Sequence, residues 1–134
     1  MIFVDTSAWY ALEVEDDENH APALTFREEL RRGHYGALLT SDYVLDEAIT
    51  LLNVRKNSEV ASKFADKLFR SRSLSVVWIN RQIFEESLKL LSERAHRRWS
   101  FTDCTSFTIM NQLKVQEAFA FDRSFEQAGF TKLP

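Results

Sequence analysis

An α/β domain is the fold class this chain predicts, with a central parallel sheet of four to five short strands covered by helices on both faces. Three observations lead there. Short apolar runs alternate with long amphipathic segments, the pattern of strands joined by crossover helices. The runs are nearly continuous, as in strands buried on both faces. Only three glycines and two prolines occur in 134 residues, so there is no flexible linker and no low-complexity segment. The chain reads as one three-layer α/β/α domain spanning residues 1–134.

The elements follow in order. Ile2 to Asp5 is the first strand, and a helix runs from Thr6 to Val14. Glu15-Asp16-Asp17-Glu18 is a solvated loop. Ala21 to Arg32 is a second helix, with Pro22 tolerated in its first turn and Gly33 stopping it. Ala37 to Thr40 is the second strand. Helices cover Asp42 to Val54 and Ser58 to Arg70. Ser75 to Ile79 is the clearest strand, rich in β-branched and aromatic residues. Residues 81 to 97 form a long helix with apolar Ile83, Phe84, Leu88, Leu91 and Ala95. Thr102 to Leu113 is a further helix. Ala118 to Phe121 is the fourth strand and Phe130 to Leu133 a short edge strand. Right-handed crossovers place ligands beyond the carboxyl ends of such strands. Asp5 and Asp122 both stand at such ends.

Composition narrows the classes. A hydrophobic fraction of 45% and a charged fraction of 28% suit a soluble globular protein. No apolar stretch approaches the ~20 residues of a membrane span. The N-terminus lacks a basic region, so no signal peptide is expected. The single Cys104 excludes an internal disulfide framework and a multi-cysteine zinc site. A cytoplasmic location is the expectation that remains. The net charge of -3 argues against a general nucleic-acid coat. Arginines nevertheless cluster at Arg27, Arg31, Arg32, at Arg70, Arg72, and at Arg94, Arg97, Arg98 around His96.

Four carboxylates carry the chemistry: Asp5, Glu47, Asp103 and Asp122. If they meet, they cannot all stay ionised without cations, because like charges in one site raise each other's pKa. Hard divalent ions such as Mg²⁺ or Mn²⁺ prefer oxygen ligands of this kind. On a helix, Glu47 shares its stripe with Val44, Leu51 and Val54, while Asp46 shares one with Asp42, Thr50 and Asn53. Glu47 is therefore expected to point toward the sheet and Asp46 to solvent. Ordinary roles stand beside these. Glu47 also suits a boundary position paired with an arginine. Ser100-Phe101-Thr102-Asp103 resembles a capping box, and Asp5 and Asp122 also suit helix caps. Thr6 and Ser7 either cap a helix or orient a carboxylate, and Ser106 lies one turn after Asp103. His20, His34 and His96 show no metal spacing, and Cys104 reads as a packed thiol. Trp9, Tyr10, Phe64, Phe69, Trp78 and Phe107 are expected in the core.

The order of these motifs resembles a PIN-domain protein, and more closely a VapC-type toxin ribonuclease. Val4-Asp5-Thr6-Ser7-Ala8 matches the opening strand with its first acid. Ser41 through Glu47 matches the helix that brings the second. Ser100 through Phe107 carries the third, and Phe121-Asp122-Arg123-Ser124-Phe125 with Gly129-Phe130 the fourth. Many relatives carry Thr, Ser or Asn just before the fourth acid, where this chain has Ala120-Phe121. The resemblance implies an endoribonuclease using one or two Mg²⁺ or Mn²⁺ ions, an RNA substrate, a homodimer, and a small VapB-type antitoxin that blocks the site. Asp5 and Asp103 are expected as principal ligands. Glu47 and Asp122 would hold a second ion or orient water. Two other readings share the fold: a PIN-like module that binds RNA or protein without cleaving, and a Mg²⁺-dependent aspartyl-phosphate protein. The latter fits poorly, because a haloacid-type phosphatase wants a second acid where Ser7 stands.

Overall fold

The computed structural model describes all residues from Met1 to Pro134. Five strands, β1 (Ile2–Val4), β2 (Leu38–Ser41), β3 (Leu74–Val77), β4 (Glu117–Phe119) and β5 (Thr131–Leu133), form one sheet in the order β3-β2-β1-β4-β5. Every neighbouring pair is parallel. The connections carry α1 (Thr6–Glu13), α2 (His20–Arg31), α3 (Asp42–Arg55), α4 (Ser58–Phe69), α5 (Arg81–Glu93), α6 (Phe101–Leu113) and the short α7 (Ser124–Gln127).

Alternation along β1 fixes the layers. Phe3 meets Phe125 of α7 at 6.3 Å between ring centroids, and Phe125 meets Phe107 of α6 at 5.1 Å. Val4 faces the other way, toward Trp9, Leu30 and Leu68 of α1, α2 and α4. Helices thus cover both faces, as a fully parallel sheet requires. The strand order reverses at β1, which has β2 on one side and β4 on the other. The crevice at such a switch point opens at the carboxyl ends of the strands.

Local chemistry sets the boundaries. Gly33, at φ +83°, accepts the left-handed conformation that ends α2. Ser41 caps α3 by accepting from the Val44 N–H at 3.2 Å. Asp42 then accepts the Ile79 N–H at 2.8 Å and ties the start of α3 to the end of β3.

Several expectations need correction. The fourth strand stops at Phe119 rather than Phe121, because the Phe121 N–H leaves the ladder and donates to Ser7 Oγ at 2.9 Å. The long helix stops at Glu93 rather than residue 97. Ala95–Arg97 form a 3₁₀ turn and Arg98 is left-handed at φ 56°. That break lets Trp99 turn inward, where it lies 4.9 Å from the Phe107 ring. Helix α7 was not expected. Phe69 and Trp78 are 60% and 65% exposed instead of buried. They stand at the last residue of α4 and just past the edge strand β3, where no element covers them.

Candidate active site

Asp5 is the N-cap of α1 and is 4% exposed. Its backbone N–H continues the ladder of β1 onto Phe119 O at 3.0 Å, so the residue is fixed by the sheet itself. Its Oδ2 accepts the Ser7 N–H at 3.0 Å and the Ser7 hydroxyl at 2.6 Å. Ser7 Oγ in turn accepts the Phe121 N–H. One hydroxyl therefore joins the first carboxylate to the backbone next to Asp122. Burial pushes the Asp5 carboxyl from 3.8 up to about 6; the bonds from Ser7 and Thr6 act against this, and the Asp122 charge adds to it.

Asp103 closes a complete capping box at the start of α6. Its N–H donates to Ser100 Oγ at 3.0 Å, and its Oδ2 accepts the Ser100 N–H at 3.0 Å. Loss of solvent, followed by the charges of Asp5 and Asp122, raises this carboxyl to about 7, against the Ser100 bonds that lower it. Asp122 is exposed, and its Oδ1 accepts the Ser124 N–H at 2.8 Å in the turn before α7. Its charge reaches both other aspartates, so the three lie within electrostatic range of one another. In each aspartate one named oxygen takes the local backbone bonds. The capping role and a ligand role are thus compatible in one side chain.

Glu47 stands apart. It is exposed on α3, whose buried stripe is Val44, Leu45, Ala48 and Leu52. The expectation that it points toward the sheet is wrong: the true stripe passes one position further along the helix and leaves Val54 73% exposed. Glu47 instead shares an open hollow of about 350 Å³ with Thr102, the residue before Asp103. Thr102 precedes Asp103 in sequence, and it is through this hollow alone that Glu47 approaches the start of α6.

The hydroxyls divide. Ser7 binds Asp5, as above. Thr6 Oγ1 donates to Val44 O at 3.4 Å and so braces α1 against α3. Ser106 is fully buried and donates to Thr102 O at 3.0 Å within its own helix. Neither hydroxyl bonds a carboxylate. Cys104 is buried, and its thiol is raised to about 11 by burial and by the neighbouring Asp103 charge. That is the wrong direction for a nucleophile. The Ser7–Phe121 bond escaped the sequence, since 114 residues separate its partners; a hydroxyl two residues after a strand-end acid was its only signal.

The donor set fits Mg²⁺ or Mn²⁺. All candidate ligands are carboxylate oxygens, the preference of hard cations. Burial first, and neighbouring acid charge second, raise Asp5 and Asp103, so a bound cation would favour the ionised form of both. As the side chains stand, no three of the chain's His, Cys, Asp or Glu residues are gathered closely enough to hold an ion.

Comparison with known proteins agrees with this geometry. The family model described as PIN domain matches residues 2–131. The 23S rRNA-specific endonuclease VapC20 of Mycobacterium tuberculosis is 35% identical over 133 residues, which is 99% of this chain and 98% of that protein. A VapC ribonuclease of Archaeoglobus fulgidus is 24% identical over 123 residues, covering 91% of this chain and 77% of that one. The crystal structure of M. tuberculosis VapC20, titled a Sarcin-Ricin loop cleaving toxin, superposes with a TM-score of 0.87 at 34% identity over 98% of this chain and 97% of the other. With its parallel sheet, its acids at the switch point and these relatives, the chain belongs to the PIN domain family and, within it, to the VapC group.

Proposed function

We propose that this protein is an endoribonuclease that hydrolyses RNA phosphodiester bonds with Mg²⁺ or Mn²⁺, as the toxin of a VapBC-type pair. One observation carries the reading: the Asp122 charge reaches both Asp5 and Asp103, whose carboxyls are raised to about 6 and about 7. Such a site gains most from a cation and from a phosphate delivered with it.

Asp5 and Asp103 are the principal ligands in this proposal, with Asp122 and Glu47 completing the set or orienting water. When bound, the divalent ion supplies counter-charge for the phosphoryl oxygens and a water acidic enough to attack near neutral pH. The chain does the rest. Ser7 holds Asp5 on one oxygen and fixes the backbone beside Asp122. The Ser100 box holds Asp103 in register with the helix start. Glu47, exposed and unanchored, is free to follow the substrate's arrival. Thr6 and Ser106 serve the frame around these acids, through Val44 and Thr102.

The partners belong to the same proposal. A VapB-type antitoxin would use the apolar hollow of about 260 Å³ between α1, α2 and α4. A homodimer would bury Phe84 and Leu88, which lie one turn apart on α5 and are 37% and 45% exposed. No helix is long and apolar enough to cross a membrane, and we place the protein in the cytoplasm.

The test is cleavage of total cellular RNA and of a sarcin–ricin loop hairpin with Mn²⁺ or Mg²⁺, against EDTA and beside Asp5→Asn. New RNA ends that require both the metal and Asp5 support the proposal. Tight RNA binding with no new ends would favour a non-cleaving PIN module. Ends that persist in Asp5→Asn would refute the site.

A further inference from the structure

Of the 17 lysines and arginines, nine form no salt bridge, and three of these nine stand together at residues 94–98. Arg27, Arg31, Arg32, Lys56, Lys63, Lys67, Arg81 and Lys89 each lie within 4.0 Å of a carboxylate, most of them on α2, α4 and α5. Arg94, Arg97 and Arg98 pair with nothing, although they are crowded into five residues. Like charges so close repel one another, and Glu93, the acid next to them in sequence, pairs with Lys89 instead.

Topology explains where they stand. α5 follows Asn80 at the carboxyl end of β3, and α6 also begins at the catalytic end, at the Asp103 cap. The Phe84 and Phe101 rings meet at 4.9 Å near the two helix starts, and Ser87 Oγ meets Thr108 Oγ1 at 3.1 Å further along. Two neighbouring helices that run the same way need a return segment. Residues 94–100 are that segment, a strap that climbs along α6 from the far end of α5 to the carboxylates. Trp99 pins it. The indole packs on Phe107, and Nε1 donates to Gln127 Oε1 of α7 at 3.1 Å.

Beneath the strap lies a hollow of about 190 Å³ whose polar lining is Arg94, Arg97, Asn111 and Gln127. No acid lines it. The Gln127 oxygen is occupied by Trp99, which leaves its amide N–H₂ to donate, and the Asn111 side chain makes no bond of its own. Two guanidinium groups and two amides form a donor-rich lining, the chemistry of a phosphate site. Asn111 stands eight residues from Asp103 on one helix, roughly 12 Å at 1.5 Å per residue.

From this we infer that the hollow under the 94–100 strap is a second RNA contact, which holds a phosphate of the substrate strand on Arg94 and Arg97 away from the scissile bond. The inference rests on the ribonuclease reading and adds to it the path of the strand: along α6, from the strap to the aspartates. Phosphate contacts of this kind position a strand without reading its sequence.

The experiment measures binding of a fluorescent single-stranded RNA and of the sarcin–ricin hairpin to the Asp5→Asn protein in EDTA, across a salt series. Into that background go Arg94→Ala with Arg97→Ala and, as a charge-matched control, Arg31→Ala with Arg32→Ala. The strap pair should weaken binding on the order of tenfold and flatten the salt slope by about 1.4 for two lost single-strand contacts. The control should leave both within about twofold, and Arg94→Lys with Arg97→Lys should restore most of the affinity. Equal losses in the two Ala pairs would overturn the inference and leave the ribonuclease reading intact, provided the parent cleaves. A parent that neither cleaves nor binds RNA would overturn both. Circular dichroism melts, with the Lys pair, separate misfolding from lost contacts.

Discussion

Replacing Asp5 with Asn should stabilise the metal-free protein, and by an amount that depends on pH. The Asp5 carboxyl is 4% exposed and raised from 3.8 to about 6. A carboxyl raised in the folded state binds its proton more tightly there than in the unfolded chain. Its ionisation therefore costs stability as pH rises from 3.8 through 6, and the cost is fully present above that window. At 1.36 kcal/mol per unit, the difference of 2.2 units amounts to about 3 kcal/mol at pH 8. At pH 5 the folded carboxyl is mostly protonated, and about 1.5 kcal/mol of that cost remains. Asn keeps an oxygen for the Ser7 N–H and hydroxyl but carries no charge. Its advantage over the parent should shrink roughly by half between pH 8 and pH 5. Urea unfolding of both proteins in EDTA at the two pH values measures this directly. Mn²⁺ at about 1,000 times its Kd should reverse the order at pH 8, since it adds about 4.1 kcal/mol to the parent alone. An Asn variant no more stable than the parent at pH 8, or equally advantaged at both pH values, would refute the electrostatic account of the site.

Three further outcomes follow from single side chains. Ser7→Ala removes the link between Asp5 and the Phe121 N–H, so it should cost about 1–3 kcal/mol in urea unfolding and also slow cleavage. Glu47→Gln should leave stability within about 0.5 kcal/mol, because the residue is exposed, while RNA cleavage is lost; a variant that cuts as well as the parent would remove Glu47 from the site. Phe107→Ala, at 1% exposure among Trp99, Phe125 and Phe130, should cost about 3–5 kcal/mol and loosen the strap, read by urea melts and by Trp99 fluorescence.

Much of this molecule was legible before its fold. The near-continuous apolar runs specified buried parallel strands, and the placement of Asp5 at the end of one of them located the crevice. The Ser100–Asp103 box was readable because capping chemistry acts over three residues. The errors share a cause. Leu51 and Val54 suggest an apolar stripe that turns Glu47 to the sheet, but packing against α1 and α4 selects Val44, Ala48 and Leu52 instead. Trp78 and Phe69 read as core because hydrophobicity says nothing about whether a neighbour arrives to cover a side chain.

The sequence by itself determined the five strands, six of the seven helices and their order, since propensity, capping and periodicity act within one or two turns. Only the tertiary structure decided which groups share a site. Ser7 reaches Phe121 across 114 residues, Asp122 repels Asp5 and Asp103, and the strap carries unpaired arginines along α6. Burial and charge repulsion depend on distance in space, and that distance exists only after the sheet has brought β1 beside β4.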